Sequence, residues 1–204
     1  KTAYEMCGRD WSSDVCSSDL MDSGTKKETI EAPPSTNTPS EKSCDAIMMK
    51  ETFEPSFVLS KSFTLGKLTQ NGSRPVVAQQ GLKVQEIVCN LKGLSENCLE
   101  PIKNLYPNMI ITSGFRRPGD VAASSPTSDH YLGCAADIVI PNLDRKGHYD
   151  AIQKIQTLIP YDQLLLEYQG ANIVWIHVSF KYVAAKKQIF TMREHKRISD
   201  FGYE

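Results

Sequence analysis

The chain has 204 residues, with 23 Lys and Arg against 24 Asp and Glu and a 40% hydrophobic share. That length suits one well-buried domain with a tail, and the apolar share excludes a fibrous or disordered protein over most of the chain. Near-neutral charge leaves no electrostatic footprint for nucleic acid, and no apolar run approaches the about 18 residues of a membrane span, so neither is an expected partner.

Residues 1–20 stand apart from the rest. The run Asp10-Trp11-Ser12-Ser13-Asp14-Val15-Cys16-Ser17-Ser18-Asp19-Leu20 back-translates to a string similar to a sequencing adapter read in frame, and it is expected to carry no structure. Residues 21–52 then form an expected flexible linker: Ser, Thr, Pro, Glu and Lys dominate (EAPPSTNTPSEKS), with too little apolar surface to order the chain. No secretory signal is visible after Met21. From about Phe53 the apolar content rises, giving an expected domain over 53–193 and a C-terminal tail over 194–204.

Within the domain, Val84, Ile87, Val88, Leu91, Leu94, Cys98, Leu99, Ile102 and Leu105 recur at three- and four-residue steps, which predicts a helix over 82–106. Pro101 inside it predicts a kink or a break. A strand is expected over 108–113, then a polar Pro/Gly/Ser-rich loop over 117–129. AADIVI (135–140) reads as a buried strand stopped by Pro141, and 147–158 as a helix. Strands are expected over 163–168 and 173–180, joined by a turn at Gln169-Gly170-Ala171-Asn172, with a last strand over 187–192. Helices followed mostly by antiparallel strands make the fold class α+β. Outside residues 1–20 the cysteines are Cys44, Cys89, Cys98 and Cys134, without CxxC spacing, so no disulfide framework is expected. Cys89, Cys98 and Cys134 read as small apolar core residues.

Strand interiors avoid charge, yet Asp137 lies in AADIVI and His177 in VWIHVSF. A buried carboxylate costs several kcal/mol unless it is paired or coordinated, so Asp137 requires a partner such as Arg116 or Lys181, or a metal. His130 stands seven residues before Asp137 at a loop end, with Gly133 between them to allow a close pass. With His177 these residues form a two-His, one-carboxylate set, which is what a catalytic zinc with one open position needs. His148 and His195 sit in polar sequence and read as surface residues.

The motifs carry a resemblance. SDHYLGCAAD (128–137) fits S-x-H-x-x-G-x-A-x-D, and Trp175-Ile176-His177 fits W-x-H. Thr112-Ser113-Gly114-Phe115-Arg116 and Phe63-Thr64-Leu65-Gly66-Lys67-Leu68-Thr69 complete an ordered series over about 60–190. Together they resemble the zinc D-Ala-D-Ala carboxypeptidase and L-Ala-D-Glu peptidase family of murein hydrolases, in its phage-encoded branch.

The resemblance implies a hedgehog/D,D-peptidase-like fold with an antiparallel sheet and helices on one side. It implies Zn2+ on His130, Asp137 and His177, Arg116 on the substrate carboxylate or the developing oxyanion, and Ser128 and Trp175 beside the substrate. The implied substrate is the peptidoglycan stem peptide, and the implied setting is a phage virion or a host cytoplasm from which the enzyme reaches the cell wall. The linker would suit tethering to a particle. Alternatives on the same fold are a non-catalytic virion or wall-binding domain and a D-Ala-D-Ala dipeptidase.

Several members of that family carry the general base as a glutamate three residues before the second histidine, where this chain has Val174. Glu167, in QLLLEY, is the expected substitute. A two-residue turn at Gly170-Ala171 would set it directly opposite Val174.

Overall fold

The computed structural model describes residues 42–121, 125–170, 173–183 and 185–201. The adapter-like stretch and the linker up to residue 41 lie outside the described residues.

Six strands form one sheet in the order β1-β2-β4-β3-β5-β6: β1 (Ile110–Ser113), β2 (Ala135–Val139), β3 (Gln163–Gln169), β4 (Ile173–Ser179), β5 (Gln188–Arg193) and β6 (Lys196–Asp200). The helices are α1 (Lys42–Met48), α2 (Leu65–Leu68), α3 (Val84–Leu94), α4 (Glu100–Leu105) and α5 (Arg145–Ile155). The fold is α+β, as the order of elements suggested. The sheet, however, is mixed rather than antiparallel, because β5 runs parallel to β3. β5 starts beside Gln163, at the end of the sheet where β4 finishes, and lies on the far side of β3, so it runs opposite to β4 and along β3.

The expected long helix is there, and its interruption takes a specific form. Ser95–Leu99 is a π turn between α3 and α4, so the backbone register slips one residue immediately before Pro101, near the start of α4. Proline lacks an N–H for the α ladder, and the wider turn ahead of it lets the helix continue past 101 instead of ending there. Ile87, Leu91, Leu94, Leu99 and Ile102 are fully buried, each contributing about 1.5–3 kcal/mol relative to exposure.

Period-two alternation splits the sheet into two chemically different faces. Ala136, Ile138, Leu164, Leu166, Ile176 and Val178 share the core with α3 and α5. Asp137, His177, Glu167 and Trp175 belong to the opposite face, since cross-strand partners share a side.

Two boundaries differ from expectation. Helix α1 lies inside the expected linker, and Cys44 on it is disulfide-bonded to Cys89 on α3, with a Cα–Cα distance of 5.7 Å. The sequence offered no spacing signal for this bond because helix docking, not local sequence, brings the two residues together. Strand β6 lies inside the expected tail and pairs with β5. Among the described residues Cys98 is a buried free thiol, with its S–H donating to the Pro160 carbonyl.

The disulfide closes a loop with a sequence separation of 45 residues. Cys44→Ser is therefore expected to cost about 2–4 kcal/mol in urea unfolding of the oxidised protein. An unchanged midpoint would show that α1 and its cross-link add nothing to stability.

Candidate metal centre

Two glycines and one short turn bring the first histidine to the sheet. A 3-10 turn, Asp129–Leu132, ends at Gly133 with φ 72°, a left-handed conformation that a side chain strains. A Cβ at 133 would also stand 2.7 Å from the Ile87 carbonyl oxygen, so only glycine lets the turn dock on α3. Asn90 Nδ2 fastens it by donating to the Leu132 carbonyl at 2.8 Å. Gly114 plays the matching part at the end of β1: a Cβ there would collide with the Leu68 carbonyl oxygen. The Gly114 carbonyl then accepts from His130 Nδ1 at 2.7 Å.

Asp137 and His177 come from the sheet itself, paired directly across β2 and β4, while Ser113 pairs with Asp137 from β1. All three candidate ligands are buried. His130 Nε2 lies 3.2 Å from Asp137 Oδ1 and 3.2 Å from His177 Nδ1, and His177 Nδ1 lies 3.0 Å from Asp137 Oδ1. Ligands about 2.0–2.1 Å from a tetrahedral zinc are about 3.3 Å apart, so this triangle fits the open face of such a centre with little adjustment. The donor chemistry fits as well. With its Nδ1–H committed to Gly114, neutral His130 turns a bare Nε2 lone pair toward a carboxylate oxygen. Converging lone pairs of this kind call for a cation or a proton between them.

Protonation follows from the same arrangement. Burial works against the charged Asp137 carboxylate, but the two histidines outweigh it and hold its pKa well below the usual carboxylate range. Burial lowers His130, and Asp137 offsets this only in part. Burial also opposes charge on His177, yet the hydrogen bond and charge of Asp137 win and raise it. A metal must therefore displace a proton from His177. Zinc affinity is expected to fall about tenfold per pH unit once the pH drops below that raised value, starting above the ~6.5 of an ordinary histidine. Chelator-competition titrations across this range check it, and a pH-independent affinity would contradict it.

Arg116 pairs with Asp137: one guanidinium nitrogen meets Oδ2, leaving Oδ1 for the triangle, and Nε donates to Ser113 Oγ at 2.9 Å. Of the two cationic partners considered for Asp137, Arg116 is the one in place. Lys181 pairs elsewhere. Gln79, which nothing in the sequence singled out, donates from Nε2 to both the Arg116 and the Tyr131 carbonyls at 2.7 Å. One carboxamide thus ties the arginine segment to the histidine turn. Ser128 precedes that turn, half-buried, and makes no capping bond through its side chain.

The β3–β4 hairpin corrects the register expected for Glu167. Gln169 pairs with Ile173, so three residues rather than two connect the strands, and residues 171 and 172 lie outside the described residues. Glu167 consequently pairs with Trp175, and Val174 pairs with Tyr168. A one-residue shift exchanges faces. Val174 packs against the core, where a carboxylate could not reach the triangle, whereas Glu167 shares the face of His177 and stands one site-facing position beyond Leu165, the partner of His177. Burial raises the Glu167 pKa, the charge of Asp137 adds to the rise, and His177, His195 and Arg116 oppose it.

The other histidines divide. His148 is not a surface residue: it is fully buried, with Nε2 accepting the Ile140 N–H at 3.1 Å and Nδ1 donating to the Asp144 carbonyl at 2.9 Å. His195 is exposed as expected, but its ring centroid lies 6.3 Å from that of Trp175. Cys134 is buried and stands outside the three-residue group.

Comparison of the chain with protein-family models, curated proteins and solved structures finds no match.

Proposed function

We propose that the chain is a zinc-dependent peptidase hydrolysing a peptide bond in peptidoglycan stem peptides, as a D,D-carboxypeptidase or endopeptidase. The observation that carries this reading is the buried triangle of His130, Asp137 and His177, with a desolvated glutamate on the same face of the sheet. The four motifs that resemble the murein hydrolase family supply the substrate class.

His130, Asp137 and His177 would hold the metal, which when bound supplies Lewis acidity at the scissile carbonyl and acidifies water. Glu167 takes the proton of the attacking water on its carboxylate and returns it to the leaving nitrogen. Its raised pKa makes it a stronger base than an exposed glutamate. Arg116 fixes Asp137 through Oδ2 and presents a permanent positive charge to a substrate carboxylate or the developing oxyanion. Trp175 walls the site beside Glu167, and Ser128 borders it near His130.

Among the described residues no helix is long and apolar enough to cross a membrane. The Cys44–Cys89 bond supports a place of action outside a reducing cytoplasm, as the cell wall is. A phage particle or a lysing host supplies such a route.

Mass spectrometry of muropeptides after digestion of purified murein tests the reading. Expected are stem peptides shortened at one bond, absent with chelator and restored by zinc. Unchanged muropeptides would favour a wall-binding domain that keeps the fold without turnover.

A further inference from the structure

Lys181, two residues beyond β4, places its Nζ 3.2 Å from Asp129 Oδ1 and 2.9 Å from Asp162 Oδ2. The side chains of Lys181, Asp129 and Asp162 are 15%, 10% and 1% exposed, so one ammonium is shared by two carboxylates largely out of water. Neither carboxylate belongs to the triangle. A buried ion pair is a poor stabiliser, because desolvation cancels most of its Coulomb gain, and its best-attested use is to fix geometry.

The two ends of the pair differ in kind. Asp162 is anchored in the sheet: its N–H donates to the Ser179 carbonyl at 2.8 Å, its carbonyl accepts from Gln188 at 2.8 Å, and its Oδ1 accepts the Lys186 N–H at 2.7 Å. Asp129 instead opens the 3-10 turn that carries His130 as its next residue. Lys181 thus joins a fixed point of the sheet to the one candidate ligand that does not come from the sheet.

We propose that Lys181 and Asp129 are positioning residues for the metal centre, holding the His130 turn at the distance where Nε2 meets Asp137 and His177. The inference rests on the zinc reading above. Side chains that orient metal ligands typically change affinity about 10–100-fold when removed.

The test measures zinc affinity of the full chain by competition with a chelating dye, alongside melting of the chelated protein. Asp129→Asn keeps the shape and leaves the Lys181–Asp162 pair intact. It should weaken zinc about tenfold or more while the melting temperature of the metal-free protein stays within a few degrees. Lys181→Met should weaken zinc similarly, and Lys181→Arg, whose fork spans both carboxylates, should restore most of the affinity. Asp162→Asn removes the charge that anchors Lys181 to the sheet, so it should weaken zinc as well and also lower the metal-free melting temperature. If Lys181→Met fails to fold, Asp129→Asn carries the test. Wild-type affinity in Asp129→Asn overturns the inference alone, whereas wild-type protein that binds no zinc overturns the metal reading with it.

Discussion

Glu167→Gln is expected to lower turnover on murein by about 100-fold or more with zinc still bound, the scale of losing general acid–base help. Glutamine keeps the size and the place in β3, directly across from Trp175, and removes only the basic oxygen. The substitution should therefore leave folding intact. It should even favour folding slightly, because burial already opposes charge at this position and a neutral amide relieves that cost. Lower turnover combined with unchanged or higher melting temperature is a signature that a merely structural glutamate would not give. Retained turnover would assign the base elsewhere.

Asp137→Ala and His177→Ala are each expected to reduce bound zinc from about one per chain to none that survives dialysis, because two remaining ligands do not make a closed tetrahedral centre. The two variants separate metal binding from charge balance. Asp137 also pairs with Arg116, whose side chain is 14% exposed, so its removal takes away the carboxylate partner of a largely buried guanidinium and should lower the stability of the metal-free protein. His177→Ala leaves that pair in place and should lose zinc with a smaller loss of metal-free stability. Metal content by elemental analysis and melting in chelator read both effects. Full zinc occupancy in either variant would remove that residue from the centre.

Asp137 and His177 were legible because a carboxylate and an imidazole inside apolar strands are costly without a purpose, and His130, at a loop end, was legible from its spacing to Asp137 across Gly133. The long helix and strands β2, β3 and β4 were legible from their apolar periods. Other features depend on contacts between distant segments. The Cys44–Cys89 bond exists because α1 docks on α3, and α1 is short and polar enough to read as linker. Strand β6 (KRISD) carries too little apolar alternation to mark itself against a tail, and its order comes from pairing with β5.

Register was the subtlest point. Nothing in Gln169-Gly170-Ala171-Asn172 distinguishes a two-residue from a three-residue connection, yet that single residue decides which face Glu167 joins. His148 looked superficial because its neighbours Lys146 and Asp150 are polar, but its position on α5 turns it inward to cap the end of β2. Gln79 gave no signal at all, being one carboxamide in a polar stretch whose role depends on two carbonyls 37 and 52 residues away. Gly114 and Gly133 were visible as motif positions, though not as the sites where Leu68 and Ile87 press against the backbone.

If one metal on the triangle of His130, Asp137 and His177 drives hydrolysis, chelated protein must regain activity in proportion to added zinc. Chelated protein is titrated with zinc while release of stem-peptide products from murein is followed. Activity should rise linearly and break at about one equivalent per chain, with no such rise in His177→Ala. Activity that is full before zinc is added, or zinc that binds at one equivalent without any turnover, would rule out zinc-driven hydrolysis at this triangle.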